Sequence, residues 1–316
     1  MWWLMSVVMA AEIQADLHLD TPTQLVNRNV GLDGAGLEGG LGPLVTGGTN
    51  VAVMVIWPPR TGDWTARVEQ MFSKIEAEDK RLDSVVLARS PAEALAAAEA
   101  GMVAMVVALE GAHGIDRTGI PGLQALHARG LRMLGLTWSM SNRYAGSSGD
   151  GGGGLTADGR ALVAEANRLG VILDVSHASS ATTLEVCSLS TDPVVASHSN
   201  TAAVKPHPRN LTDDEIRCIA SKGGVIGVNF HRPFVGGSGD VSAIADHIDH
   251  LKKVGGFTCI ALGSDYDGLI TPITGVGDAS KLPVLWEELR RRGYTDAELR
   301  AIKGENFMRV WNVVAG

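Results

Sequence analysis

The chain has 316 residues, 45% of them hydrophobic, with a formal net charge of −8 and an isoelectric point near 5.6. This length suits one large α/β domain, and since no linker-like segment interrupts the chain we expect a single domain over residues 1–316. The acidic balance argues against nucleic acid or an anionic membrane as a partner, because both favour basic surfaces.

The first ten residues, Met1 to Ala10, are apolar, but no Lys or Arg precedes the run and it is too short to span a membrane. We therefore expect neither a cleaved signal nor membrane association. Three widely spaced cysteines, Cys187, Cys218 and Cys259, form no CxxC pair, and we interpret them as buried reduced thiols. Such thiols favour a reducing, cytoplasmic compartment.

Short apolar runs without polar alternation recur along the chain and predict parallel strands that are buried on both faces. The predicted strands are 13–18, 50–57, 102–109, 131–138, 171–177, 194–198, 224–230 and 258–263. Helices with recognisable capping sequences separate them, starting at Ser90, Thr212 and Thr295. Eight alternations of strand and helix predict an α/β fold of the TIM-like (β/α)8 barrel type rather than an open doubly wound sheet.

The predicted strands end repeatedly in side chains that bind metals or carry protons. His18 and Asp20 end the first strand, Glu110 the third, His177 the fifth and His198 the sixth, and Asp265 follows the eighth. In a barrel these strand ends meet at one rim, where active sites lie. A lone His at such a place is more often structural, but six such residues on one rim are hard to explain as packing.

Imidazole and carboxylate ligands are the ones that zinc and its neighbours prefer, and catalytic sites leave a position open for water. A carboxylate can bridge two ions, which together deprotonate a water and polarise a carbonyl group. The residues at the rim therefore predict a metal-dependent hydrolase with a two-metal site.

Seven segments of the chain resemble the membrane (renal-type) dipeptidase family, peptidase family M19 of the amidohydrolase superfamily. In the family's order, they are residues 16–21, 109–113, 173–177, 197–199, 207–210, 227–230 and 263–268. The resemblance implies a zinc-dependent, homodimeric dipeptidase that hydrolyses small dipeptides whose C-terminal residue has the L or the D configuration.

The resemblance also implies a role for individual residues around two divalent ions, with zinc as the expected metal and a bridging hydroxide as the nucleophile. The ligands would be His18 and Asp20 on one ion, His177 and His198 on the other, and Glu110 between them. Asp265 would carry the proton. Arg209 would bind the substrate's C-terminal carboxylate, a group that a guanidinium can grip with two parallel hydrogen bonds.

Two positions depart from the family pattern. Trp138 stands where renal-type members have a His that is thought to help hold the developing oxyanion, and an indole N–H can donate one hydrogen bond but cannot titrate. His231 follows Asn229 and Phe230, where an aromatic residue such as Tyr often contacts the substrate carboxylate. We count Trp138, Asn229 and His231 among the predicted substrate-binding residues, and the preferred substrate stays open.

The remaining histidines receive structural interpretations. His113 follows Glu110 closely and is expected to order its loop rather than to bind a metal. His247 and His250 face one way on a predicted helix, and a solvated helix face is the expectation for both.

Two alternative functions remain. One is another activity of the same superfamily, such as a lactonase, a deaminase or another small-amide hydrolase; many such relatives bridge their metals with a modified lysine, whereas Glu110 stands at the third strand end here. The other is a non-catalytic metal-binding or interaction protein, which would have no use for a proton carrier such as Asp265.

Overall fold

Strands and helices alternate along the computed structural model, which describes residues 12–59 and 62–316. The apolar start Met1–Ala10 lies outside the described residues. The strands are β1 Ala15–Leu19, β2 Val51–Ile56, β3 Val85–Leu87, β4 Val103–Leu109, β5 Leu131–Gly135, β6 Ile172–Asp174, β7 Val194–Ala196, β8 Val225–Val228 and β9 Ile260–Leu262. The α-helices are α1 Thr21–Asn27, α2 Leu41–Gly47, α3 Trp64–Arg81, α4 Pro91–Glu99, α5 Gly119–Arg129, α6 Ala157–Leu169, α7 Ser180–Leu189, α8 Asp213–Ser221, α9 Arg232–Val235, α10 Val241–Gly255, α11 Leu282–Arg291, α12 Asp296–Arg300 and α13 Asn306–Ala315.

Eight of the strands form one parallel sheet in the order β1-β2-β4-β5-β6-β7-β8-β9. The ring closes beside β1, where Leu19 pairs with Tyr266 and the backbone N–H of Asp265 donates to the carbonyl of His18 over 3.0 Å. The predicted TIM-like (β/α)8 barrel is therefore confirmed.

The predicted strands are all present, although most of them are shorter than predicted. The run 131–138, for example, leaves the ladder after Gly135. A ninth strand, β3, was not predicted; its Val85 pairs with Val103 at the start of β4.

Two apolar clusters form the core, and successive strand residues alternate between them, as the two faces of a strand require. Residues 51, 53 and 55 of β2 share one cluster with residues from β1 and from each of the strands β4 to β9. Because strands from all around the ring contribute to this cluster, it forms the interior of the barrel. Phe307 and Trp311 of α13 join this cluster.

Helix starts follow the predicted capping sequences. The side chain of Ser90 accepts from the backbone N–H of Glu93 over 3.2 Å, and Thr212 and Thr295 each form a complete capping box. None of the helices in the two described segments has the length and apolar character needed to cross a membrane.

The prediction that His247 lies on a solvated face is wrong. His247 is fully buried, its Nδ1 accepts from the backbone N–H of Thr201 over 3.1 Å, and its Nε2 lies 2.9 Å from the carbonyl of Val235. The apolar face of α10 tolerates this imidazole because backbone groups satisfy both ring nitrogens. His250, one turn further on, pairs with Asp213 at 2.7 Å.

Candidate active site

Six ionisable side chains converge at the carboxyl-terminal rim of the barrel. They are His18 in β1, Asp20 directly after it, Glu110 after β4, His177 after β6, His198 after β7 and Asp265 after β9. Each is buried, with at most 9% of its surface exposed. Buried polar and charged groups are costly unless they have partners, so the groups at this rim require one another or a bound ligand.

The carboxylate of Glu110 presents its two oxygens to different histidines. Oε2 lies 3.8 Å from Nε2 of His18, whereas Oε1 lies 2.9 Å from Nε2 of His177 and 3.5 Å from Nε2 of His198. Glu110 therefore stands between two groups of ligand atoms and can contribute one oxygen to each.

The described residues form three sets of potential ligand atoms that lie within 4.8 Å of one another; His18, Asp174 and His198 form one of them, and the remaining two lie around Glu110. Of these two, the first set comes from His18, Asp20 and Asp265, and the second from Glu110, His177 and His198. Among the described residues, Nε2 of His18 and Oδ1 of Asp20 have no hydrogen-bond partner although both atoms are buried. Unsatisfied nitrogen and carboxylate atoms in such groups are the ligands that a divalent cation needs.

The two imidazoles of the second set support the same interpretation. Nε2 of His177 and Nε2 of His198 are only 3.0 Å apart. Burial and the nearby positive charges hold the pKa of both histidines well below the usual range, so both rings are neutral near pH 7. Two neutral imidazole nitrogens at this separation could both coordinate one cation.

Without a bound cation, the carboxylates of the first set create a strongly negative electrostatic potential around His18. Burial disfavours the charged form of His18, but Glu110, Asp20 and Asp265 outweigh burial and raise the pKa of His18 to about 10. Burial and the other carboxylates raise the pKa of Glu110 well above its usual range. Burial raises the pKa of Asp265 to about 7; His18 opposes this shift, and Asp20 adds to it. The rim therefore holds protons that a cation would displace.

The backbone at two of these residues is strained. His177 and Asp265 both have φ of +67°, in the left-handed region that residues with a Cβ rarely adopt. Strained residues of this kind occur where the surroundings fix an unusual side-chain direction, as at active sites.

A cavity of about 280 Å³ opens above these groups. Its lining residues are Asp20, Thr23, Trp57, Glu110, Trp138, His177, His231, Phe234, Asp265, Asp267, Gly268, Leu269 and Ile270. The volume lies just below the range of roughly 300–1,000 Å³ that is typical of pockets for drug-sized ligands. The cavity therefore suits a small ligand rather than an extended peptide.

Arg209 is buried beside the second set of ligand atoms. Its Nη2 donates to the carbonyl of His198 over 3.2 Å, while Nε is buried without a partner among the described residues. The guanidinium also lies 5.6 Å from the ring centre of Phe234, which lines the cavity. A buried guanidinium with a free donor is suited to an anionic ligand.

The three other predicted substrate-binding residues occupy different positions. Trp138 and His231 line the cavity, and Nδ1 of His231 accepts from the backbone N–H of Thr271 over 3.1 Å, which leaves Nε2–H free to donate. Asn229 is fully buried and donates from its side-chain amide to Oδ2 of Asp265 over 2.9 Å. His113 lies 2.9 Å from the carbonyl of Pro58 through its Nε2, as expected for a residue that orders its loop.

The roles of two site residues were not predicted from the sequence. Trp57, whose ring centre lies 5.1 Å from that of Trp138, follows the end of β2, and an aromatic residue at a strand end was a usable signal. Asp267 holds the loop beside the cavity by accepting from Thr21, Glu38 and Gly39. No local pattern marks this role, because its partners lie far away in the sequence.

The chain resembles one family over nearly its whole length. The sequence profile of the membrane dipeptidases, peptidase family M19, matches residues 5–316. Dipeptidase verJ of Clonostachys rogersoniana is 37% identical over 237 residues, which are 73% of this chain and 61% of verJ. The match thus spans about three fifths of that relative's length.

Solved structures are similar over almost the entire chain. One of them is a metallo peptidase from Rhodobacter sphaeroides that is liganded with a phosphinate mimic of the dipeptide L-Ala-D-Ala. Its TM-score to this chain is 0.88 at 28% sequence identity, and the match covers 96% of this chain and 99% of that protein's chain. Dipeptidase AC, a metallo peptidase of family M19, has a TM-score of 0.89 at 29% identity, covering 97% of this chain and 100% of its own.

Proposed function

The chain belongs to the membrane dipeptidase family, peptidase family M19, and on this premise we propose that it is a two-metal dipeptidase acting on small dipeptides with an L or D residue at the C-terminus. The observation that carries the proposal is the placement of Glu110, whose two oxygens face His18 on one side and His177 on the other. A mononuclear site has no need of a carboxylate in that position.

The proposed ligands are His18 and Asp20 for one ion, His177 and His198 for the other, and Glu110 for both. The buried atoms without hydrogen-bond partners in His18 and Asp20 support this assignment. When bound, two divalent ions, with zinc as the proposed metal, would polarise the peptide carbonyl and acidify a water molecule.

Arg209 is proposed to bind the C-terminal carboxylate of the dipeptide. Its unpaired Nε is a donor that a carboxylate oxygen would satisfy, and the buried position strengthens a charge-assisted hydrogen bond. His231 would add an Nε2–H donor, since its Nδ1 already accepts a hydrogen bond from Thr271. Together these residues would orient the peptide bond before it is cleaved.

Asp265 is proposed to accept the proton of the attacking water and to deliver it to the leaving amine. Its carboxyl group lines the same cavity as Asp20 and Glu110, where the attacking water would lie, and a carboxylate in that position can serve as a general base. Asn229 would hold one oxygen of this carboxyl group in place, so that the other oxygen remains available for the proton.

The cavity walls support a preference for dipeptides over longer chains. Trp57, Trp138 and Phe234 line the space above the carboxylates and limit its size to about 280 Å³. Aromatic walls also exclude water, which strengthens the electrostatic interactions inside the site. Trp138 is thus proposed to contact substrate as part of this wall.

A hydrolysis assay tests the proposal directly. The zinc-loaded protein is incubated with paired L-L and L-D dipeptides and with the corresponding tripeptides, and the release of free amino acids is measured. We expect turnover of dipeptides from at least one series and little turnover of tripeptides. Hydrolysis of simple lactones with no dipeptide turnover would replace this proposal with a different activity of the same superfamily.

We also propose a homodimer in a reducing, cytoplasmic compartment. The three cysteines are free thiols, which is consistent with such a compartment. Light scattering after size exclusion tests the dimer, and fractionation of the source cells tests the location.

A further inference from the structure

The hydroxyl group of Ser197 contacts two neighbouring imidazoles, those of His18 and His198, whose ring centres are 3.7 Å apart. Its Oγ is 3.1 Å from Nδ1 of His18 and 2.8 Å from Nδ1 of His198. Ser197 is fully buried, directly after β7 and beside His198 in the chain. The two histidines are proposed ligands of different ions, so a single hydroxyl contacts both proposed metal subsites.

The proton of this hydroxyl has a defined direction. Oγ of Ser197 donates to Oδ2 of Asp174 over 2.6 Å. The other oxygen of Asp174 accepts from the backbone N–H groups of Ser176 and Ser197, each over 2.9 Å, so this carboxyl group is fixed at the end of β6. A hydroxyl has one proton and two lone pairs. Once the proton is directed to Asp174, both lone pairs are left for the two imidazoles.

We propose that Ser197 is a positioning residue shared by both metal subsites, accepting a hydrogen bond from Nδ1–H of His18 and another from Nδ1–H of His198. The inference rests on the ligand roles proposed above. Each hydrogen bond selects the tautomer in which Nδ1 carries the proton. Nε2 of each ring is then the unprotonated nitrogen, and it faces Glu110 on either side.

The shared hydroxyl makes the two subsites dependent on one residue. The outer partners of metal-bound histidines fix ring orientation, and losing one typically lowers metal affinity about 10–100-fold. Because Ser197 holds one histidine of each set, its removal should weaken both ions together. Asp174 acts one step further out, through the hydroxyl that it orients.

Neighbouring serines allow the effect to be separated from a general disturbance. Ser139 lies 3.3 Å from Nδ1 of His177 and contacts only one of the two sets. Ser199, also buried, has its Oγ 3.5 Å from Oγ of Ser176, and among the described residues it has no hydrogen bond with an imidazole nitrogen. Ser176 is less suitable as a control, because its Oγ lies 3.4 Å from that of Ser197.

The experiment measures zinc affinity by competition with a chromophoric chelator in Ser197→Ala, Ser139→Ala, Ser199→Ala and the parent protein. We expect Ser197→Ala to lose about 10-fold or more at both binding steps. Ser139→Ala should lose affinity at one step, and Ser199→Ala should stay within about 2-fold of the parent at both. An effect of Ser197→Ala on one step alone, or on neither, would overturn the proposal.

A second measurement covers the case in which Ser197→Ala folds poorly. Long-range ¹H–¹⁵N spectra of the zinc-loaded parent, labelled with ¹⁵N-histidine, should contain Nδ1–H signals for both His18 and His198. A protonated Nε2 on either ring would contradict the proposal.

These measurements also separate the inference from the proposed function. If the parent binds fewer than two ions, the two-metal function fails. The two Nδ1–H signals still support or refute the position of Ser197 in that case.

Discussion

Asn229 and Asp265 form a hydrogen bond of 2.9 Å whose direction is fixed. The amide oxygen of Asn229 accepts from the backbone N–H of His231, so its Nδ2 must point towards Oδ2 of Asp265. Asn229 therefore holds one oxygen of the Asp265 carboxyl group in place. The Asp265 side chain also lines the cavity. This arrangement makes Asp265 the most informative residue to change.

Asp265→Asn keeps the shape of the side chain but removes its ability to accept a proton. If Asp265 is the proton carrier, zinc content should stay close to that of the parent while kcat falls by ~10²–10⁴-fold, the usual scale for general acid–base catalysis. Steady-state kinetics and metal analysis of the same preparation check this. Asp158→Asn, at an exposed ion pair with Arg143, serves as a control that should leave kcat unchanged. Full turnover with full metal loading would assign the proton to another group.

Arg209→Lys keeps the positive charge but loses the planar guanidinium group, which can form two parallel hydrogen bonds with a carboxylate. We expect KM to rise about 10-fold or more, since hydrogen bonds to charged groups contribute about 1.5–3 kcal/mol, while kcat changes by less than about 3-fold. Arg217→Lys, on the exposed face of α8, is the matched control. A collapse of kcat with KM unchanged would show that Arg209 acts on the bond-breaking step instead.

Glu110→Gln replaces two equivalent oxygens with one oxygen and an N–H₂ group that cannot bind a cation. The parent protein, reconstituted with zinc, should hold about two ions per chain, because five side chains are too many for one tetrahedral ion. The variant should hold about one ion or fewer, as measured by elemental analysis after gel filtration. Glu165→Gln, which removes half of a surface pair with Arg168, should retain both ions. A parent protein without zinc after reconstitution would contradict the whole site.

Metal binding should release protons and should strengthen as the pH rises. Zinc needs the neutral imidazole of His18, whereas the protein groups alone raise the pKa of that imidazole to about 10. Below pH 10 each binding event at His18 must displace a proton, so affinity should increase by about tenfold per pH unit from this group, and more steeply where Glu110 also releases a proton. A pH-stat titration with zinc, compared with His18→Gln, checks both points. An affinity that does not change between pH 6 and pH 8 would mean that His18 is already neutral.

Much of the fold could be predicted because buried parallel strands and capped helices carry local signals. The apolar run before Glu110 and the capping box at Thr212 are visible without any tertiary information. Strand β3 escaped because three residues, Val85–Leu87, give too short a run to distinguish from the end of a helix. His247 misled the prediction because a helix face can bury a histidine wherever backbone groups satisfy it.

The candidate site, too, could be predicted from the sequence only in part. Its strand-end residues could be predicted to converge because the barrel brings every carboxyl end to one rim. Their roles as metal ligands and proton carrier stay predictions. The contacts of Ser197 with His18 and Asp174 could not be found beforehand, because they join residues 179 and 23 positions apart. Such contacts depend on side-chain directions that no local pattern encodes.

The left-handed backbone at His177 and Asp265 has a consequence for engineering this protein. A non-glycine residue in that conformation costs about 1–2 kcal/mol, a strain that glycine would relieve. Screens of the metal-free protein that select only for survival on heating would thus favour glycine at both positions, and each such change deletes a side chain from the rim. Heat-selected libraries of this chain should accumulate robust but inert proteins unless turnover is selected in the same round.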